Sequence, residues 1–360
     1  MPGDPARESV AMDYREHAIN RDWSAEDKID LFRQMLRIRR FEQEAMKYYQ
    51  GGRIGGWLPL DIGQESIAIS VRSVMGMDDH SLSGFRGIGH ALAAGIGMGP
   101  IMAELFGKLN GVSKGKGGAV SHYSPALHHW GAYGLAAAHT PLAAGLAFAL
   151  KQREIRGAVV CFMGDGSVNQ GVYHEALNLA GLFGLPVVYL IENNGYAMGM
   201  SVSRSSRFKE CLARRAEGYD IDWDHFGGSD PYEIRARVSD ALQRARLESR
   251  PTVVEIETYR FYGFHIADAN HQKYRTRQEV QERRARDPLG LWRKHLLDDG
   301  ILDEAAAGDL DLQAKEEAME AVRFAGAGEV PSISDIVRDV YWESDHDTEA
   351  SRIGRHFFGE

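Results

Sequence analysis

Cysteine is nearly absent. Of 360 residues only Cys161 and Cys211 carry a thiol, and neither belongs to a CxxC pair. That argues against a disulfide framework and against a zinc site. No apolar run reaches the ~18 residues that a membrane-spanning helix needs. The N-terminal stretch MPGDPARESVAMDYREH holds no apolar signal core. A basic excess is also missing: the formal net charge is −9, which argues against nucleic acid as the main partner. Neither an internal repeat nor a low-complexity segment is evident. Gly111 to Gly118 is rich in glycine and lysine but lacks the GxxxxGK[ST] spacing of a P-loop. Gly95-Ile-Gly-Met-Gly99 follows no convincing strand, so a dinucleotide fingerprint is weak there. The expectation is a cytoplasmic, reduced protein.

What is present suits one large α/β domain with appendages. Hydrophobic residues make up 44% of the chain, enough for a sizeable core, and the 40 glycines gather in the first two thirds. Residues 1–24 read as a flexible polar arm. Ser24-Ala-Glu-Asp27 reads as a capping box opening a helix to about Tyr49, with Leu31, Met35, Ile38 and Phe41 on one face and Gly51-Gly52 at its end. A second helix follows Gly63-Gln64-Glu65. Residues 119–133 read as an irregular loop, and Pro141 starts an Ala- and Gly-rich helix to about Lys151. Strands are predicted at Ala158–Phe162, Pro186–Ile191 and Thr252–Glu257, with helices at Val172–Leu182 and near 231–248. Such alternation implies a mainly parallel sheet covered by helices. An α/β domain over 25–275 and a helical C-terminal extension over 276–360 complete the division.

The chemistry concentrates after two of these strands. Gly164-Asp165-Gly166-Ser167 follows the first, and Asn193-Asn194-Gly195-Tyr196 follows the second. Ligands of parallel sheets bind at the carboxyl ends of strands, so both groups are predicted on one rim. Asp165 offers a carboxylate oxygen and Asn194 an amide oxygen, 194 − 165 = 29 positions apart. Magnesium prefers such hard oxygens and takes the rest of its shell from water and phosphate. Taken singly, each group is an ordinary turn; their joint placement at strand ends points to a cation–phosphate site.

Gly164-Asp-Gly166, then 26 residues (167–192), then Asn193-Asn194 resembles the thiamine-diphosphate signature. The run GDGSVNQGVYHEALNLAGLFGLPVVYLIENNGYAMG looks like the α subunit of the first component of 2-oxoacid dehydrogenase complexes, a group that covers pyruvate, branched-chain and acetoin dehydrogenases. The likeness extends from about residue 31 to 300, with GQES at 63–66, GKGG at 115–118, YRFYG at 259–263 and YRTRQE at 274–279. It implies a thiamine-diphosphate-binding fold, with thiamine diphosphate and Mg2+ as cofactors. Asp165, Asn194 and the Tyr196 carbonyl would ligate the metal. Gly164, Gly166 and Ser167 would hold the diphosphate; Arg86, preceded by Phe85, and Arg260 would pair with its phosphates, for which guanidinium geometry is suited. Gly134 and Ala136 would meet the aminopyrimidine. The resemblance further implies a separately encoded β subunit that supplies the activating glutamate, in an α2β2 heterotetramer, and a lipoyl-domain acyltransferase or carrier protein as acceptor.

The chain departs from the family around the reactive end. Pro59 stands where a histidine precedes GQE, the YRxHG motif reads Phe85-Arg86-Gly87-Ile88-Gly89, GGSMH reads Gly117-Gly118-Ala119-Val120-Ser121, and GHS reads Gly263-Phe264-His265. His265, His122 and His129 are the candidate catalytic histidines, with His128 and His139 behind them; singly, each suits a surface or satisfied core position. Three functions follow. The first is decarboxylation of a 2-oxoacid and passage of the resulting acyl-type carbanion on the cofactor to an acceptor such as a lipoyl group. The second is transketolase-like transfer of a two-carbon unit from a ketose or ketose phosphate to a carrier-protein thiol. The third is a non-catalytic cofactor-binding scaffold. Both enzymatic readings use the same thiazolium chemistry, so the cofactor motif alone does not separate them. Residues 262–276 are expected to form a mobile loop at the site mouth.

Overall fold

The apolar runs around residues 160 and 190 send alternate side chains to opposite faces of one sheet, as the two-residue period of extended backbone requires. The computed structural model describes residues 12–268 and 271–338. Its main sheet has six strands: β1 (His80–Ser83), β2 (His129–Ala132), β3 (Val159–Gly164), β4 (Val187–Asn193), β5 (Asp222–Gly227) and β6 (Thr252–Glu257). Their order is β2-β1-β3-β4-β6-β5, and every pairing is parallel. The helices that matter here are α1 (Ala25–Gln50), α2 (Glu65–Arg72), α3 (Ile88–Ala93), α4 (Met98–Leu105), α5 (Thr140–Gln152), α6 (Gly171–Phe183), α7 (Pro231–Glu248), α8 (Arg277–Arg284), α9 (Pro288–Asp298) and α10 (Glu304–Ala327).

Val159, Cys161 and Met163 of β3 join Val187, Tyr189 and Ile191 of β4 in a core covered by α5 and α6. Val160, Phe162, Val188 and Leu190 point the other way, against Ile67 and Val71 of α2 and Ile234, Val238 and Leu242 of α7. A third cluster lies beside the sheet, where the Leu31, Met35, Ile38 and Phe41 stripe of α1 meets Ile101 and Met102 of α4 and Leu310, Ala314 and Ala318 of α10. This is the mainly parallel, helix-flanked α/β arrangement, with a helical C-terminal region, that the sequence predicts. Among the described residues no helix is long and apolar enough to cross a membrane.

The helix ends are written in local chemistry. Ser24 caps α1: its Oγ accepts the Asp27 backbone N–H at 3.1 Å, and Gly51 closes the helix. Three strands of the main sheet are not marked by the sequence pattern: β1, β2, which falls inside the stretch expected to be irregular, and β5; all three are short and mix serine, histidine or aspartate with few apolar residues. The flexible arm also needs correcting. Residues 13–23 form short helical turns, Trp23 is buried and stacks on Trp292 with ring centroids 5.5 Å apart, and Asn20 Nδ2 donates to the Tyr14 and Tyr232 carbonyls. Residues 1–11 of that arm, and the last part of the C-terminal extension, 339–360, lie outside the described residues. The division expected at residue 275 runs through one continuous cluster, since Trp292, Leu296 and Leu310 share it with α1.

One buried knot fixes where α2 begins. Arg39 of α1 donates from Nε to Glu65 Oε1 and from both Nη atoms, at 2.9 Å each, to Asp287, which caps α9. Glu65 is fully buried and its other oxygen accepts the Gly63 N–H at 2.9 Å. Removing one partner of such a pair strands the other charge without water. Arg39→Met is therefore expected to destabilise the chain by about 3–5 kcal/mol in urea unfolding; a loss below about 1 kcal/mol, the range of surface pairs, would show that the knot does not hold these helices.

Candidate functional site

Residues that directly follow a parallel strand leave the sheet at its carboxyl rim, and β3 and β4 leave it side by side: Gly164 pairs with Glu192. Asp165 and Asn194 therefore come from neighbouring strand ends, as predicted. They line a cavity of about 450 Å³ together with Gln64, Gly84, Phe85, Arg86, Gly134, Ala136, Met163, Gly164, Gly166, Ser167, Glu192, Tyr196 and Met198. Trp57, Phe264, Gln170 and Ala197 complete the wall.

Asp165 is 3% exposed, and its Oδ2 has no hydrogen-bond partner. Burial pushes its carboxyl up to about 6, against the opposing field of Arg260. Beside it, Asn194 Oδ1 accepts the Tyr196 N–H at 3.2 Å while Nδ2 donates to Gln64 Oε1 at 3.1 Å, so the amide is oriented from both ends. Asn193 turns away, donating to Glu255 at 2.7 Å and accepting the Gly195 N–H at 3.0 Å. Gly195 sits at φ +85, a backbone state that side chains disfavour. Gly166 is required for another reason: a Cβ there would come within 2.6 Å of Ala197 Cβ. A Cβ on Gly164 or Gly134 would meet no protein atom, which leaves the cavity open at both walls.

Two arginines were expected at the phosphates. Arg86 lines the cavity, donating to the Leu60 carbonyl and, at 3.2 Å, to the Phe264 carbonyl. Burial, then the like charge of Arg260, pushes its guanidinium down to about 10. Arg260 is 1% exposed and lies behind the wall; it donates to the Met198 and Tyr262 carbonyls at 2.7 and 2.8 Å. Behind the cavity a charged layer runs inward. His90 Nε2 lies 3.1 Å from Glu192 Oε2, Asp61 Oδ2 accepts the Gly89 N–H at 2.8 Å, and Glu42 Oε1 accepts the Asp61 N–H at 2.8 Å. Burial raises both the Asp61 carboxyl, to about 7, and that of Glu42. Burial would lower His90, yet Glu192 keeps it above its ordinary value.

The three candidate histidines do not converge. His122 is fully buried, and burial pushes it down to about 4 against the opposing effect of the Ala119 backbone. His129 is fully buried on β2, hydrogen-bonded through Nδ1 to Ser81 Oγ at 2.9 Å, and burial pushes it down to about 3. Neither belongs to the cavity wall, and nor do His128 and His139. His265 comes nearest: its ring stacks on Trp57 at 5.1 Å, and Trp57 in turn meets Phe85 and Phe264 edge-on at 5.6 Å. The rim is thus aromatic. The sequence reading missed Trp57, Gln64 and Glu192 as wall residues; Gln64 sits in the GQES motif and Glu192 directly precedes Asn193. The stretch read as a mobile mouth loop is also tied down in its described part. Arg275 donates to the Arg260 carbonyl at 2.7 Å and to that of Tyr262, and Tyr274 donates to Asp268 at 2.6 Å. Residues 269–270 of that stretch lie outside the described residues.

Among the described residues no group of three or more His, Cys, Asp or Glu side chains could hold a metal. A cation at Asp165 would accordingly draw on amide and backbone carbonyl oxygens and on its ligand's phosphates, the donor set magnesium accepts.

The sign of the Asp165 shift has a measurable consequence. Its folded value, about 6, lies above the ordinary 3.8, so the fold favours the protonated form. The penalty is absent below about pH 4 and complete above about pH 6. Asp165→Asn in the cation-free protein is expected to be more stable than wild type by about 2–3 kcal/mol at pH 7, with the difference shrinking towards pH 4 in urea titrations with chelator. A pH-independent difference would remove this account of the carboxylate.

Residues 33–334 match the family model described as dehydrogenase E1 component. The chain is 37% identical over 316 residues to the pyruvate dehydrogenase E1 component subunit alpha of Rickettsia felis, covering 88% of this chain and 96% of that protein. It is 36% identical over 324 residues to the same subunit from Rhizobium meliloti, covering 89% and 91%. With the Zymomonas mobilis subunit it shares 37% over 317 residues, 88% of each chain.

Proposed function

The chain belongs to the dehydrogenase E1 component family, and from that premise we propose that it is the α subunit of a thiamine-diphosphate-dependent 2-oxoacid dehydrogenase, with Asp165 at the centre of its cofactor site. The observation that carries the assignment of the site is the buried Oδ2 of Asp165, which lacks a partner beside an oriented Asn194 amide. A divalent cation held there would satisfy that oxygen and offset the burial penalty that raises its proton affinity. Asp165, Asn194 and the Tyr196 carbonyl would hold Mg2+, while Gly164, Gly166, Ser167 and Arg86 would receive the diphosphate. Gly134 and Ala136 form the opposite wall, suited to a flat heterocycle. Bound thiamine diphosphate supplies an electron sink for the pair left behind when a 2-oxoacid loses carbon dioxide.

The chain's own residues do the rest. Arg86, held by two carbonyls, presents its remaining N–H groups to anionic oxygens. Arg260 spans Met198 and Tyr262, and so positions the segments on either side of the cavity rather than lining it. Trp57, Phe85 and Phe264 shield the mouth from water, which strengthens the electrostatics within. His265, stacked on Trp57, would exchange protons at that rim.

A second chain is part of this reading. Glu192 is engaged by His90, and Asp165 would be taken up by the cation, which would leave no wall carboxylate to activate the cofactor; a β subunit would supply it, in an α2β2 assembly. Leu135, beside Gly134 and Ala136, is exposed, as are Leu142 and Phe148 on α5 and Leu182 and Phe183 on α6. Such clustered apolar exposure suits a subunit seat. A lipoyl domain is the acceptor.

The test is reconstitution with the β subunit and a panel of 2-oxoacids, pyruvate included. Carbon dioxide release is expected from the pair and not from this chain alone, and Asp165→Ala should weaken thiamine diphosphate binding by at least about 100-fold in calorimetry with Mg2+, beyond the 10–100-fold typical of outer-shell changes. Ketose phosphate cleavage without decarboxylation of any 2-oxoacid would refute the reaction, and cofactor affinity near wild type would refute the site.

A further inference from the structure

A second cavity, of about 470 Å³, lies away from the cofactor rim, between α1, the end of α2, α3 and α7. Gln64 opens α2 at the first cavity and Arg72 closes it at the second; with a rise of 1.5 Å per residue the two lie about 12 Å apart along the helix axis. The floor is apolar, built from Leu31, Ile69 and Leu92. Two guanidinium groups on its wall lack an anion. Arg235 is 4% exposed, and its three hydrogen bonds go to neutral groups: Asn20 Oδ1 at 2.9 Å, Ser73 Oγ, and the Ile19 carbonyl at 3.1 Å. Its guanidinium carbon lies 3.9 Å from the centre of the Trp23 ring. Burial pushes it down to about 10, the mark of a cation short of compensation. Arg72 has neither an ion pair nor a side-chain hydrogen bond among the described residues and faces the same space.

Two of the other charges on the wall, Arg37 and Asp30, are already paired, and Asp27 is bonded only to a neutral hydroxyl. Arg37 makes two bonds to Glu317, at 2.7 and 2.6 Å. Asp30 accepts from Arg33 and Gln34, and Asp27 from Ser24. Asp27 acts on Arg235 only through space, without an ion pair. A guanidinium carries five N–H donors, so Arg235 keeps two free and Arg72 keeps all five. A buried cation without a counter-charge is costly, and one anion bridging both groups relieves that cost through charge-assisted bonds. The volume exceeds what a bare ion needs and falls in the range of small-metabolite sites.

We propose that this cavity is a binding site for a small metabolite bearing a phosphate or carboxylate on a short apolar body, with Arg72 and Arg235 taking the anion and Leu31, Ile69 and Leu92 the body. The site is independent of the cofactor assignment.

Calorimetry on the full chain tests it, with inorganic phosphate and with isobutyrate as separate probes and sodium chloride at matched ionic strength as control. Saturable binding of either probe is expected, and the stronger one tells phosphate from carboxylate ligands. Arg72→Gln should weaken it by at least about tenfold, the range of one charge-assisted bond. Arg72→Lys should recover part of the loss. Because Arg72 has no partner among the described residues, its variants should keep the wild-type urea midpoint. Heats no larger than with chloride, or binding unchanged in Arg72→Gln, would overturn the proposal.

Discussion

The parallel pairing of β3 with β4 is the constraint on which the candidate site depends. Gly164 opposite Glu192 sets the two chain exits side by side, and a slip of one residue would turn every alternate side chain to the wrong face. That slip is blocked from both sides, since Val159, Cys161 and Met163 are committed to one core and Val160 and Phe162 to the other. The loops beyond the strands inherit this precision. Asn193 bonds back to Glu255 of β6, so the second exit is braced by the next strand as well as by its own turn.

Behind the cavity wall, charge is stored rather than avoided. Glu42, Asp61, His90 and Glu192 form a buried layer against Arg86, and the fold pushes both Glu42 and Asp61 towards their protonated forms. Such groups are expensive in isolation. Here each has a backbone N–H or an opposite charge, and the layer sets the field at the cavity wall. The Arg39 knot anchors one end of this arrangement, because it fixes the start of α2 and with it Gln64, which orients Asn194.

Much of this was legible in the sequence because it rests on local rules. β3, β4, β6 and helices α5 to α7 follow from apolar runs punctuated by glycine and proline, and Ser24 and Gly51 mark the ends of α1. β1, β2 and β5 were not legible: strands of four to six residues carrying His80, Ser81, Asp222 or Asp224 are stabilised by their neighbours in the sheet and not by their own pattern. The same distinction separates the site residues. Asp165 and Asn194 lie at strand ends, where topology alone places them. His122 and His129 are near the same loops in sequence, yet burial takes them into the core. Arg260 has the motif but directs its donors to backbone carbonyls, a choice visible only once Met198 and Tyr262 are placed around it.

Tyr196 serves two masters. Its backbone belongs to the turn that follows β4, while its phenol donates to Glu279 of α8, a carboxylate that Tyr259 also reaches at 2.9 Å. The turn after β4 and the first helix of the C-terminal region are thus joined through one phenol–carboxylate contact. A displacement of the Asn194–Tyr196 turn has either to break that contact or to carry α8 with it, so the edge of the cavity and the start of the C-terminal region share a fastening.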